Sequence, residues 1–224
     1  MSLRITAVSP FLCADPHVIV EQISNVNSGL IVLPGWRSNG PSLLDLQQVL
    51  HPNVSLFAEV GLSIRQRKAY LITSLAVKEL PVQTFIQRPS LSELSDLAAR
   101  LPERIIELGG FQVAFFLCGE IHAFDVNGMP RVEINHPFDV LINPAHFIMG
   151  RWHILGKKLE ALSRAKVVVH VANNDRNNHR LSTDVRIYAG GKQVGERNTN
   201  IDVAWREFDV MRSRTLQVQE LWVC

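Results

Sequence analysis

The sequence is short of cysteine and of charge imbalance, and each shortage removes a class of function. Its three cysteines, Cys13, Cys118 and Cys224, lie far apart with none of the paired spacing that a disulfide framework or a zinc site needs. A reducing, cytoplasmic setting is the expectation. With 23 Lys plus Arg against 21 Asp plus Glu, the formal charge is only +2, too small to point to nucleic acid or an anionic membrane. No apolar run approaches a membrane span, and Met1-Ser2-Leu3-Arg4 leads into a β-like run without the apolar core of a signal peptide. His-x-Glu, His-Glu-x-x-His and Cys-x-x-Cys are all missing. Neither a metal nor a cofactor is therefore expected.

What is present suits one folded unit over residues 1–224. Apolar residues make up 46% of the chain and charged residues 20%, enough to bury a core. Short β-branched runs alternate with helix-like stretches, the pattern of an α/β layered domain. Arg4 to Pro10, Gly29 to Pro34, Val54 to Gly61, Gln112 to Cys118, Phe138 to Asn143 and Val167 to Ala172 read as strands. Pro16 to Asn25, Ser42 to His51, Leu91 to Leu101 and Trp152 to Arg164 read as helices, with Ser42 a plausible N-cap. Lys68 to Ala76 and Val82 to Arg88 read as a hairpin turning at Lys78-Glu79-Leu80-Pro81. Arg104 to Leu108 pairs with Gln112 to Cys118 through Gly109-Gly110, and Asp184 to Ala189 with Asn200 to Val210 brackets Gly190-Gly191.

Four segments in order resemble the nitrilase, or carbon-nitrogen hydrolase, superfamily. They are Leu30-Ile31-Val32-Leu33-Pro34, Phe115-Phe116-Leu117-Cys118-Gly119-Glu120, Asp139-Val140-Leu141-Ile142-Asn143-Pro144, and Val167-Val168-Val169-His170-Val171-Ala172-Asn173-Asn174. The hairpin from Asp184 to Val194 looks similar as well. The resemblance implies a four-layer α-β-β-α sandwich with mixed sheets that usually pairs through its outer helices. It also implies a Cys nucleophile, a Glu base and a Lys that stabilises developing charge.

Only the first of these has a match, at Cys118. The base position, directly after Leu33-Pro34, holds Gly35, followed by Trp36. The lysine position falls on Gln87 or Arg88. A thiol needs a neighbouring base or cation to ionise near neutral pH, so the substitutes to consider are Glu120, Glu59, Arg88 and His146. Glu120 reads as structural ahead of catalytic. Glu59 reads first as an outward residue of an alternating strand, and otherwise as a carboxylate facing the site. Gly119 permits a sharp turn at the nucleophile, while His122, Asn143 and His146 are candidate pocket residues.

Two functions follow. The first is a binding or assembly domain of nitrilase type that has lost ordinary amide or nitrile hydrolysis, with at most one helper beside Cys118. The second is an active cysteine-dependent amidohydrolase whose base and cation are non-standard. Small amides or nitriles are the ligands expected, and a partner chain contributing missing groups is a third arrangement. The apolar tail from Leu216 to Cys224 suggests a contact with a second copy.

Overall fold

The strands that read as unbroken apolar runs form the centre of two packed sheets. The computed structural model describes residues 1–11, 14–37, 40–63, 65–146, 152–173, 185–199 and 203–211. The elements run β1 (Ser2–Pro10), α1 (Pro16–Ser24), β2 (Gly29–Val32), α2 (Leu43–Gln48), β3 (Val54–Val60), β4 (Lys68–Thr73), β5 (Val77–Leu80) and α3 (Leu91–Arg100). They continue with β6 (Ile105–Leu108), β7 (Phe111–Phe115), β8 (Val140–Ala145), α4 (Trp152–Leu162), β9 (Val167–Ala172), β10 (Val185–Ala189), β11 (Lys192–Val194), β12 (Glu196–Thr199) and β13 (Val203–Met211).

One sheet has the order β12-β13-β1-β2-β3-β4-β5 and the other β11-β10-β9-β8-β7-β6. In the first, β1, β2 and β3 are parallel; in the second, β7, β8 and β9 are parallel. Parallel strands are buried on both faces, which is why these segments lack polar alternation. The faces between the sheets meet through Ile5, Leu30, Val32, Phe57, Phe115, Ile142 and Val169, with Phe57 stacked on Phe115 at 5.0 Å. Ile31, Leu56 and Ile72 turn the other way onto Ile19, Ile23 and Leu46 of α1 and α2. On the second sheet, Ala114, Leu141 and Val168 pack against Leu94 and Leu97 of α3 and Leu155 and Leu159 of α4. The result is the expected α-β-β-α sandwich.

Helix starts follow their side chains. Ser42 and Ser90 each accept a bond from the amide three residues on, while Asp45 and Glu93 reach back in reciprocal capping boxes. No helix among the described residues is long and apolar enough to cross a membrane.

Four local readings change. The hairpin after β4 turns at Ser74-Leu75, not at Lys78–Pro81, because the Thr73 hydroxyl bonds the Ala76 amide and carbonyl at 3.0 and 3.2 Å. Val77–Leu80 is thereby a strand, with Lys78 exposed on it, and 82–88 forms a loop instead of a strand. Pro144 lies inside β8 instead of ending it. Pairing with β7 stops at Ile142 while pairing with β9 continues through Pro144, so the missing amide costs no ladder bond. Cys118 does not close β7 but opens a 3-10 turn beyond it. Finally, the Gly190-Gly191 turn joins β10 to the short β11, while β13 lies in the other sheet beside β1. The tail from residue 216 and the polar loop after Asn173 lie outside the described residues.

Candidate active site

Parallel strands in each sheet deliver their C-terminal ends to a common edge, where open α/β sheets place ligands. Five residues from different strands collect there. Gly35 follows β2, Glu59 lies at the end of β3, Cys118 follows β7, His146 follows β8 and Asn173 follows β9. Alternation aims two of them inward: Glu59 shares the face of Phe57, and His146 shares the face of Val140 and Ile142, both turned toward the space between the sheets.

Cys118 sits at φ 42°, in the left-handed region that side chains avoid, and among the described residues it is the one non-glycine there. Such a conformation persists only where surroundings over-determine it. Asn143 supplies part of that constraint: its Nδ2 donates to the carbonyls of Phe116 at 2.6 Å and Cys118 at 2.9 Å. Its Oδ1 accepts from His170 Nδ1 at 2.8 Å. Burial, followed by the charge of Arg186, holds the His170 pKa down to about 3, so the ring is neutral. Gly119 is required by space, since a Cβ there would lie 1.9 Å from the carbonyl oxygen of Ile86.

Beneath the turn, Glu120 and Arg104 form a fully buried ion pair. Glu120 also accepts from the amides of Leu117 at 2.8 Å and Thr84 at 2.5 Å, and Arg104 donates to the Val82 carbonyl. Burial pushes the Glu120 carboxyl up, against the pull of Arg104 and the two amides. With its oxygens so committed, Glu120 shapes the turn and is not placed to take a proton from the thiol.

The His146 ring meets the Glu59 carboxylate, and the Cys118 side chain is near enough to act on the same ring. Its Nε2 is 2.6 Å from Glu59 Oε2. The side chains of His146 and Glu59 are 8% and 2% exposed. Burial lowers the His146 pKa, but the bonds to Cys118 and Glu59 and their charges outweigh it and raise it to about 9. The same Glu59 oxygen accepts from the Trp36 amide at 3.0 Å and lies 3.3 Å from Arg67 Nε. One expectation fails here: Glu59 is not an outward residue, since its side chain is buried against His146.

Gly35 explains how a histidine fits. A Cβ on Gly35 would lie 2.6 Å from His146 Cδ2 and 2.9 Å from Cγ, so the ring fills the space that a side chain at the resemblance's base position would take. Asn173 fixes this approach by donating from Nδ2 to the carbonyls of Gly35 and His146, both at 3.0 Å. Gly35→Ala is therefore expected to displace the ring and to slow iodoacetamide alkylation of Cys118 at pH 6. An unchanged rate would show that the ring can give way without cost.

The remaining candidates lie elsewhere. Gln87 and Arg88 are exposed on the loop before α3, so neither stands in for the lysine as buried machinery. Arg88 acts on His122, whose pKa burial lowers first, followed by Lys158, Arg131 and Arg88. His122 belongs to that electropositive cluster.

His146 also ties stability to pH. Its folded pKa lies above the unfolded value of about 6.5, so its contribution is complete below 6.5 and is lost as pH rises through about 9. Urea midpoints measured from pH 6 to 10 should fall across that window, and His146→Gln should flatten the fall. An equally steep fall in the variant would assign it to another group.

No family model and no curated protein matches the sequence. Solved structures do match. A CN-hydrolase superfamily protein from Xanthomonas campestris aligns at TM-score 0.58 and 14% identity, over 95% of this chain and 91% of that one. A mutant amidase of the nitrilase superfamily from Nesterenkonia AN1 aligns at TM-score 0.56 and 13% identity, over 91% and 90%. A double mutant of the Nesterenkonia sp. AN1 amidase in complex with acrylamide aligns at TM-score 0.56 and 14% identity, over 97% and 94%. The chain thus has the fold of the nitrilase superfamily, carried by a divergent sequence.

Proposed function

We propose that the protein is a cysteine-dependent amidohydrolase acting on a small amide, with Cys118 as nucleophile, His146 as proton carrier and Glu59 as the residue that positions His146. The observation that carries this reading is the 2.6 Å contact of His146 Nε2 with the buried Glu59 carboxylate at the strand ends that also present Cys118, whose side chain acts on the same ring. A nucleophile, a base within reach and a third group orienting that base is the arrangement nucleophilic catalysis needs.

The sulfur of Cys118 attacks the amide carbon while the proton resides on His146. The carbonyl π electrons move to oxygen, and the amides of Cys118 and Gly119, which open the 3-10 turn without an acceptor inside it, are the donors we assign to that oxygen. Collapse breaks the C–N bond as His146 passes its proton to the leaving nitrogen. The thioester is then attacked by water, which gives a proton to His146, and expulsion of the thiolate releases the carboxylic acid. A histidine still protonated at pH 7 is suited to the step that expels an amine.

Glu59 supports this division of labour because Trp36 and Arg67 share the oxygen that meets His146. With that oxygen so held, Glu59 orients the ring. The amidase neighbour bound to acrylamide supports a small amide as the substrate class. The test is ammonia release from short aliphatic amides and nitriles by the wild type and by Cys118→Ala. Release that depends on Cys118 sustains the proposal, and no release across the panel overturns it.

The second reading, a binding or assembly domain, is favoured by the exposure of Gln87 and Arg88, which leaves the resemblance's lysine without a buried successor. Self-association belongs to either reading. Light scattering should show a smaller mass once residues 214–224 are removed, and an unchanged mass would end that idea.

A further inference from the structure

We infer that Arg67 is the positioning residue of this site, holding Glu59 against His146 and tying it to the segment that backs Cys118. This rests on the Cys118–His146–Glu59 reading above. The base and the nucleophile come from different chain segments and, for Glu59 and Cys118, from opposite sheets. A side chain that touches both supports therefore sets their mutual register.

Arg67 does so. Its Nε lies 3.3 Å from Glu59 Oε2, and its Nη2 donates to Gln83 Oε1 at 3.0 Å. Gln83 in turn donates from Nε2 to the Phe85 carbonyl at 2.8 Å. That short segment is the one whose Thr84 amide binds Glu120, whose Val82 carbonyl binds Arg104, and whose Ile86 carbonyl abuts Gly119. One guanidinium joins the carboxylate that orients His146 to the loop on which the nucleophile turn rests. A lysine could hold the charge but not both contacts, because only the guanidinium fork presents donors in two directions.

The loop carrying Arg67 is built for this approach. A Cβ on Gly61 would lie 2.6 Å from Arg67 Cα and 2.7 Å from the Gln66 carbonyl oxygen, so glycine lets the chain fold back over Glu59. Trp36 pins the same glycine, donating from Nε1 to its carbonyl at 2.7 Å, while its own amide binds Glu59. Among the described residues, the charged and titratable groups that act on His146 are Glu59 and Cys118, and Arg67 meets the same Glu59 oxygen as the ring does.

Removing the arginine charge leaves the cluster one unit more negative, which disfavours a thiolate at Cys118. The low-pH limb of Cys118 alkylation should therefore move to higher pH. The experiment follows iodoacetamide modification of the Cys118 peptide by mass spectrometry against pH, in the wild type, Arg67→Gln, Arg67→Lys and His146→Ala. In Arg67→Gln the limb is expected to rise by about one pH unit, so that the rate on that limb falls about tenfold. Arg67→Lys keeps the charge but not both contacts, so it should recover only part of the shift, and full recovery would overturn the positioning role by reducing Arg67 to its charge. An unchanged urea midpoint for Arg67→Gln excludes a folding defect. If Arg67→Gln superimposes on the wild type while His146→Ala loses its low-pH limb, this inference fails and the proposed triad stands. If His146→Ala superimposes on the wild type, the triad itself fails and the role of Arg67 goes with it.

Discussion

Replacing His146 with alanine is expected to lower amide hydrolysis by about a hundredfold to ten-thousandfold, the range over which a positioned acid–base group acts. His146 meets the Glu59 carboxylate and is acted on by Cys118, and in the proposed reaction its loss leaves the thiol its strained presentation without a proton carrier. The loss should fall mainly on kcat, because the ring acts on protons that move during the reaction more than on substrate binding. Glu59→Gln should cost less, since the amide can still hydrogen-bond the ring while no longer favouring its charged form. Steady-state kinetics of the two variants against the wild type give the comparison. Hydrolysis undiminished in His146→Ala would assign thiol activation to another group.

The largest effect on stability is expected beneath the turn at Cys118. Glu120 and Arg104 are both wholly buried and paired, so Glu120→Leu leaves a guanidinium uncompensated in the core. Breaking a buried pair in this way costs about 3–5 kcal/mol. Arg104→Met combined with Glu120→Leu should recover much of that loss, because two apolar groups then replace two charges. Folding free energies from urea titration of the single and double variants decide the matter. A double variant no more stable than Glu120→Leu would mean that the amides of Leu117 and Thr84, not the charge of Arg104, are what Glu120 serves.

The sandwich is largely legible in the sequence because its central strands are apolar on both faces. Leu30, Ile31, Leu141, Ile142, Val168 and Val169 can be buried together only in sheets covered on both sides, and they are. The hairpin turn at Ser74-Leu75 is hidden for the opposite reason. It is closed by the Thr73 hydroxyl and not by glycine or proline, while Pro81, the visible signal, merely follows the strand.

The site divides along the same line. The tight turn at Cys118-Gly119 can be suspected from the chain, since glycine permits a sharp turn there, while the role of Cys118 is read from the resemblance. That Glu59 faces inward could be suspected from its parity with Phe57, yet a strand buried on both faces offers no polar alternation to say which face holds the site. His146 lies 28 positions beyond Cys118 in the chain, and nothing in that spacing announces a pair. Local sequence is enough for the layers and for the tight turn after β7, because each rests on short-range pattern. What fills the space beside Gly35 depends on long-range packing instead. The ring of His146 reaches it because the ends of β2 and β8, strands of two different sheets, are brought side by side, a register set by contacts between the sheets and by the two bonds from Asn173.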